Sequence, residues 1–299
     1  MKLKVDKIPL LYKDRRLEGG TPLRQCQLAS LHLLHVLDRI CEENGLRYWL
    51  AFGSLLGAAR HKGFIPWDDD IDVYMTMSDL RKLSKIADKV LPKDVIWQDP
   101  WRFPKSDAYF GRLRDAYSTV IQFTKYKHRC VNDPQGVPLD IFPIADVHTT
   151  CLMRVLQKIR GPLEWRARFA GCLGPVTIVG LFKKWFLYTL YFAVKGIWNV
   201  HRIFWRWGRH EYVMVNCVNE DKRLFMPYKI MESRERVEFE DGRFWAPSDI
   251  HAVLRCSFTG DYMIPQRSAT KDEGVYLPTV SNPCERAMEY LVSDCKHKE

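Results

Sequence analysis

Residues 53–75 read GSLLGAARHKGFIPWDDDIDVYM, and the reading of the whole chain turns on them. Four carboxylates, Asp68, Asp69, Asp70 and Asp72, fall within five positions. Like charges so closely spaced repel one another unless cations or arginines offset them. Ile65, Pro66 and Trp67 precede the run, and Ile71, Val73 and Tyr74 interleave with its end and follow it, an apolar setting in which bare charge is costly. Strand alternation puts Asp70 and Asp72 on one face and turns Ile71 into the core. Two carboxylates on one face make a seat for a hard divalent cation, Mg²⁺ or Mn²⁺, whose remaining positions go to water and phosphate oxygens. Asp69 has the wrong parity for that face, so a bracing role behind the ligands is expected for it. Acidic runs are also common as solvated faces or turns, and a lone D-x-D recurs in unrelated proteins. The apolar setting favours the metal seat.

Upstream, the apolar run from Tyr48 to Phe52 reads as a buried strand, and Leu55 to Arg60 as a helix. A strand that turns through Gly53 and Ser54 into a helix exposes backbone N–H groups suited to phosphate. Arg60, His61 and Lys62 add positive charge. Short strands are expected at Val95–Trp97, Tyr109–Leu113 and Thr119–Phe123. Arg112 and Arg114 flank Leu113 and so share a face; either they hold phosphates or they are ordinary exposed strand arginines. Asp140 sits among Val137, Leu139, Ile141 and Phe142, where an acid needs a partner, either a metal ion or backbone amides.

GSLLGAARHKGFIPWDDDIDV resembles the signature of the LicD family, whose eukaryotic relatives include fukutin and fukutin-related protein. It also fits the wider nucleotidyltransferase-like pattern, a Gly-Ser at a strand end followed by an Asp-x-Asp strand. The resemblance covers the signature and, more loosely, residues 22–145 and 225–280. It implies an α/β (α+β) fold, a nucleotidyltransferase-like mixed sheet core flanked by helices. It further implies transfer of a phospho-alcohol, such as phosphocholine or phosphoribitol, from a CDP-alcohol donor to a glycan or lipid-linked glycan acceptor. On this sequence it implies Asp70, Asp72 and Asp140 as metal-binding and catalytic carboxylates. Asp140 would complete the site and take the proton of the acceptor hydroxyl. Gly53, Ser54, Arg60, His61 and Lys62 would hold the donor, and the phosphate reading of Arg112 and Arg114 is favoured. The segment from Phe258 to Pro265 resembles the LicD tail, with Phe-Thr where Tyr is usual; it either closes over the donor or braces the sheet. A nucleotidyltransferase that releases pyrophosphate from an NTP shares the metal logic and is the alternative. A non-catalytic binding protein is the third reading, disfavoured because all three carboxylates are present.

The chain has 299 residues, enough for one large domain or two small ones. The expected divisions are an arm at 1–21, a catalytic core at 22–148, a basic aromatic helical insertion at 149–215, and a part completing the core at 216–299. Thr21 and Pro22 open a helix that ends at Asn44 and Gly45, and Ser78 caps a second that Pro92 closes. Asp241-Gly242 marks a hairpin turn, Ser248 caps a helix through Leu254, and a short helix is expected beyond Pro278. His32 and His35 read as packing or surface residues. Nine cysteines without a C-x-x-C, and an N-terminus without an apolar signal core, point to a reducing cytosol rather than the secretory pathway.

The net charge of +10 is confined: residues 151–210 hold eleven Lys or Arg and one acid, Glu164, with five of the ten tryptophans. The uncharged run Trp185–Val194 is too short for a span of about 20 residues. This segment is either a helical pair with a basic outer face or a peripheral contact with an anionic membrane at the inner face of the cell membrane; nucleic acid is disfavoured. The transferred alcohol is left open. Choline would call for an aromatic cage, for which Trp67, Trp97, Trp101, Phe103 and Trp245 are available.

Overall fold

In the computed structural model, the residues described are 15, 18–102, 110–122, 134, 136–148, 150, 152, 155–156, 159–160, 163, 178–204, 210–214, 225–258, 260–265 and 274–278. Tyr109, Phe103, Trp165, Trp205, Trp207 and the helix expected beyond Pro278 lie outside them. The chain divides into two units, residues 1–142, 234–246 and 260–299 in the first, and 143–233 and 247–259 in the second.

The first unit is built on helix α1 (Pro22–Asn44) and a mixed sheet. Thr21 caps α1 by accepting from the Arg24 amide, and Gly45 closes it at φ 61°, a left-handed turn that suits glycine. Leu31, Leu33, Leu34, Leu37, Ile40 and Cys41 of α1 are buried, the apolar stripe that pins the helix to the sheet. The chain then runs through β1 (Tyr48–Leu50), α2 (Phe52–His61), β2 (Ile71–Thr76), α3 (Met77–Val90), β3 (Val95–Gln98), β4 (Gly111–Asp115), β5 (Ser118–Gln122) and β6 (Pro138–His148). Sheet order is β1-β2-β6-β4-β3, with β6 entering between β2 and β4. The pairs β1/β2, β3/β4 and β4/β6 are antiparallel. The chain therefore places the start of β2 and the middle of β6 on neighbouring strands.

The second unit holds the far end of β6, which pairs with β7 (His210–Met214); β7 in turn pairs with β8 (Phe225–Pro227). It also carries α4 (Ile178–Phe204), α5 (Tyr228–Glu232) and α6 (Ile250–Ser257). Helix α4 lies within the stretch 149–215 for which a helical insertion was expected. Among the described residues no helix is long and apolar enough to cross a membrane. Back in the first unit, β9 (Arg234–Phe239) and β10 (Gly242–Pro247) form a hairpin, and β11 (Gly274–Pro278) pairs with β5.

Several boundaries differ from the sequence expectation. Thr76 rather than Ser78 caps α3, its hydroxyl accepting from the Asp79 amide at 3.1 Å. Asp249 rather than Ser248 caps α6. The hairpin turns at Glu240 and Asp241, with Glu240 at φ 56°, so the left-handed residue is not Gly242. The Glu240 carboxylate accepts from Arg24 at 2.6 Å and from the Phe64 amide at 3.1 Å, which holds it at the turn. Gly242 is required for a close approach instead: a Cβ there would press on the rings of Phe244 and His35. His32 and His35 are packing residues, paired with Asp94 at 2.8 Å and Asp241 at 2.9 Å.

Candidate active site

The turn from β1 into α2 comes first. Helix α2 begins at Phe52, three residues earlier than expected, so Gly53 and Ser54 form its first turn. Phe52 has φ 41°, an uncommon conformation for a bulky side chain. Its ring is gripped edge-on by Tyr74 at 5.1 Å and Phe142 at 5.2 Å between centroids, and Phe142 meets Phe110 at 4.6 Å. No side chain caps α2, so its first N–H groups are not taken by a cap. The Ser54 hydroxyl is otherwise engaged: buried, it accepts from the Asp72 amide at 2.9 Å, while the Asp72 carbonyl accepts from Ala51 at 2.9 Å. Two hydrogen bonds thus lock the start of α2 to β2 at Asp72.

The acidic loop approaches this turn closely. A Cβ on Gly53 would collide with the Asp68 carboxylate, and one on Gly57 with the Gly63 carbonyl. Both glycines therefore serve proximity. Asp68, Asp69 and Asp70 each bring one carboxylate oxygen within 4.8 Å of the others. Asp68 is buried, and Asp69, Asp70 and Asp72 are half-buried. Strand parity sets Asp69 aside, yet it stands with Asp68 and Asp70, because β2 starts only at Ile71 and alternation does not apply ahead of it. Asp72 lies inside β2, and Asp140 lies on the neighbouring β6; neither belongs to the group of three.

Two residues of α1 and one of the hairpin brace the loop. The Gln27 side chain donates to the Asp68 carbonyl at 2.8 Å. Glu240 accepts from the Phe64 amide, and its own amide donates to the Lys62 carbonyl at 2.7 Å. Arg24 bonds both Gln27, at 3.0 Å, and Glu240. Phe52, Gln27 and Glu240 are the contributors that sequence reading missed. A backbone angle leaves no mark in composition, and Gln27 and Glu240 lie far from the loop in the chain.

The basic candidates separate. Arg112 and Asp140 are direct register partners on β4 and β6, joined at 2.6 and 3.2 Å through both carboxylate oxygens. The Arg112 guanidinium also lies 4.7 Å from the Phe110 ring centroid. Asp140, for which a metal or backbone amides were the expected partners, has an arginine. Arg114 shares the face as expected, but bonds Gln98 at 2.9 Å and the Gly136 carbonyl at 2.8 Å. Arg60, His61 and Lys62 close the far end of α2, about 10 Å along the axis from Gly53 and Ser54, so the structure does not cluster them. Arg60 donates to the Tyr262 carbonyl at 2.9 Å and to His61 Nε2 at 2.8 Å, tying α2 to the segment resembling the LicD tail. Burial, and then the Arg60 charge, lower the His61 pKa.

The aromatic candidates divide as well. Trp97 is a core residue that donates to Asp99 at 2.6 Å, and Trp245 carries Arg234 and Arg236 at 4.0 and 4.6 Å from its ring centroid. Trp101 is exposed, and Trp67 is half-buried beside Asp68.

Comparison with known proteins decides the family. The family model described as LicD/FKTN/FKRP, nucleotidyltransferase domain, matches residues 45–181. The lipopolysaccharide cholinephosphotransferase LicD of Haemophilus influenzae is 50% identical over 265 residues, 81% of this chain and 91% of that protein. The chain belongs to the LicD family. Human FKRP, a ribitol 5-phosphate transferase, is 54% identical over 73 residues, 23% of this chain and 13% of that protein. Mouse FKRP is 54% identical over 41 residues, 14% of this chain and 8% of that protein. The LicD family match spans β1 through β6, and with them the acidic loop and the Arg112–Asp140 pair.

Proposed function

We propose that this LicD-family chain is a metal-dependent phosphotransferase that moves phosphocholine from a CDP-activated donor to a hydroxyl of lipopolysaccharide or its lipid-linked precursor. Identity of 50% across 91% of a lipopolysaccharide cholinephosphotransferase is the observation that carries it. A hard divalent cation is supported at the loop, where Asp68, Asp69 and Asp70 bring one carboxylate oxygen each to within 4.8 Å of the others, next in the chain to β2 and its Asp72. Asp70 and Asp72 would hold it, and Asp140 on the neighbouring β6 would complete the site. Bound there, Mg²⁺ or Mn²⁺ supplies neutralisation of charge on the donor diphosphate and on the departing CMP.

The chain itself mainly binds and orients. The first-turn N–H groups of α2, at Gly53 and Ser54, point their dipoles at the diphosphate. Arg112 fixes the Asp140 carboxylate through two bonds. Asp140 accepts the proton of the acceptor hydroxyl, whose oxygen forms a bond to the choline-bearing phosphorus. The bond to CMP breaks in line, and CMP leaves with the electron pair. Half-exposed Phe52, Phe110 and Phe142 offer aromatic surface to the trimethylammonium group. Positioning and charge stabilisation carry the rate.

The test is CMP release from CDP-choline, CDP-ribitol and CDP-glycerol, with lipopolysaccharide, with and without Mg²⁺. Metal-dependent release from CDP-choline is expected. Release from CDP-ribitol alone would transfer the reading to a ribitol phosphate. Pyrophosphate release from an NTP, with no CMP from any CDP-alcohol, would establish the nucleotidyl transfer that the family's domain description makes the second reading.

A further inference from the structure

Helix α4 carries apolar side chains on both its buried and its exposed faces. Tyr191, Val194, Trp198 and His201 are buried, a seam at spacings of three and four residues. His201 bonds Thr150 at 2.7 Å, and the Arg160 guanidinium lies 4.6 Å from the Trp198 ring centroid, so this seam packs within the second unit. Helical periodicity puts Ile178, Phe182, Trp185, Phe192, Val200 and Ile203 on the opposite face. These six are between 53% and 74% exposed, where a surface helix normally carries charge. At 27 residues the helix is about 40 Å long, so the apolar strip is far larger than scattered surface hydrophobes.

We infer that this face of α4 is a docking surface for an anionic lipid bilayer, lying in the headgroup layer. Charge complementarity selects that partner. Helix α4 contains Lys183, Lys184, Lys195 and Arg202 and no acid, within a segment whose excess positive charge equals that of the whole chain. A second copy of this chain would bring like charge against like. Lys195 reaches along the Tyr191 and Phe192 rings, with its ammonium 5.3 and 5.8 Å from their centroids. Such stems lie along apolar surface while the charged head stays with polar groups. Tryptophan and phenylalanine beside lysines, on a helix not apolar enough to cross, match an interfacial helix.

The test is flotation of the full chain with vesicles, read without donor or acceptor and so independent of the transfer reading. Retention on phosphatidylglycerol vesicles should exceed retention on phosphatidylcholine vesicles at least tenfold at low salt. It should fall several-fold at ~0.5 M salt, where the screening length is short. Phe182→Gln with Trp185→Gln should abolish retention with the circular dichroism spectrum unchanged. Lys183→Gln with Lys184→Gln should lower it several-fold on the anionic vesicles alone. No retention of the parent chain on anionic vesicles at low salt overturns the inference. So does retention unchanged by the aromatic pair, or light scattering showing a dimer that the aromatic pair dissolves.

Discussion

The acidic loop and helix α4 are composed against their surroundings in opposite ways. The loop gathers charge among apolar side chains, and α4 presents apolar side chains where charge is usual. The loop backbone is held from elsewhere in the first unit. Gln27 and Glu240 hold its backbone, Gly53 lets Asp68 come close, and Ser54 anchors Asp72. In α4 the outer face is left exposed among the described residues, while its inner seam is packed. A segment braced from several directions is built for geometry, and one left open on an apolar face is built for a surface.

The comparison breaks most readily at the carboxylates. Asp70→Asn and Asp72→Asn should each lower CMP release more than a hundredfold, over about 2.7 kcal/mol in the barrier, with the fold unchanged. Activity within about tenfold of the parent would remove the metal assignment. Arg112→Leu leaves Asp140 half-buried without its guanidinium and should cost about 2–3 kcal/mol in urea unfolding. Arg112→Lys should recover only part of this, because an ammonium cannot bond both oxygens as a planar fork does. An equal loss in both variants would show that the fork is not what matters.

Glu240→Gln should be milder, about 1 kcal/mol in stability, since the amide keeps an acceptor for Phe64 and loses the ion pair with Arg24. Its sharper readout is the Mg²⁺ concentration at half activity, which should rise if the hairpin positions the acidic loop and stay put if it merely packs there. The hairpin also predicts a pH effect. The Trp245 hydrogen bond, with help from Arg236 and Arg234, holds the Glu42 pKa below its usual 4.5. The folded chain therefore binds fewer protons there than the unfolded chain. Stability from this contact is complete above about 4.5 and is lost as pH falls through the lowered folded value. Urea midpoints should fall more steeply from about pH 5 to pH 3 in the parent than in Trp245→Phe. Parallel slopes would count against the contact. Smallest of all, Phe182→Gln with Trp185→Gln should change the free energy of urea unfolding by no more than about 0.5 kcal/mol, because both residues are exposed.

Much of the fold was legible because local signals agree with it. The Thr21-Pro22 opening and Gly45 close of α1, the strand that carries Asp72 and the apolar strand around Asp140 depend on neighbours in the chain. The site was legible as residue types and less so as partnerships. Asp140 announced that it needs a partner, but a single strand cannot say that Arg112 sits in register opposite it. Parity could place neither Asp69 nor Asp70, because both precede β2 and the point where alternation begins is set by where β2 joins the sheet. Gly53 was legible as a turn residue, and its closeness to Asp68 was not.

Sequence alone therefore determined the family, the α/β class, the presence of an acidic loop after a Gly-Ser turn, and the confinement of positive charge to 151–210. Each of these is carried by residue identity and near spacing, which a chain keeps whatever it folds against. Only the tertiary structure decided that Ser54 braces Asp72, that Arg60, His61 and Lys62 stand at the far end of α2, and that α4 turns its aromatic face outward. Those outcomes depend on register, on axial distance along a helix and on which face finds a partner. They are set by contacts between residues far apart in the chain.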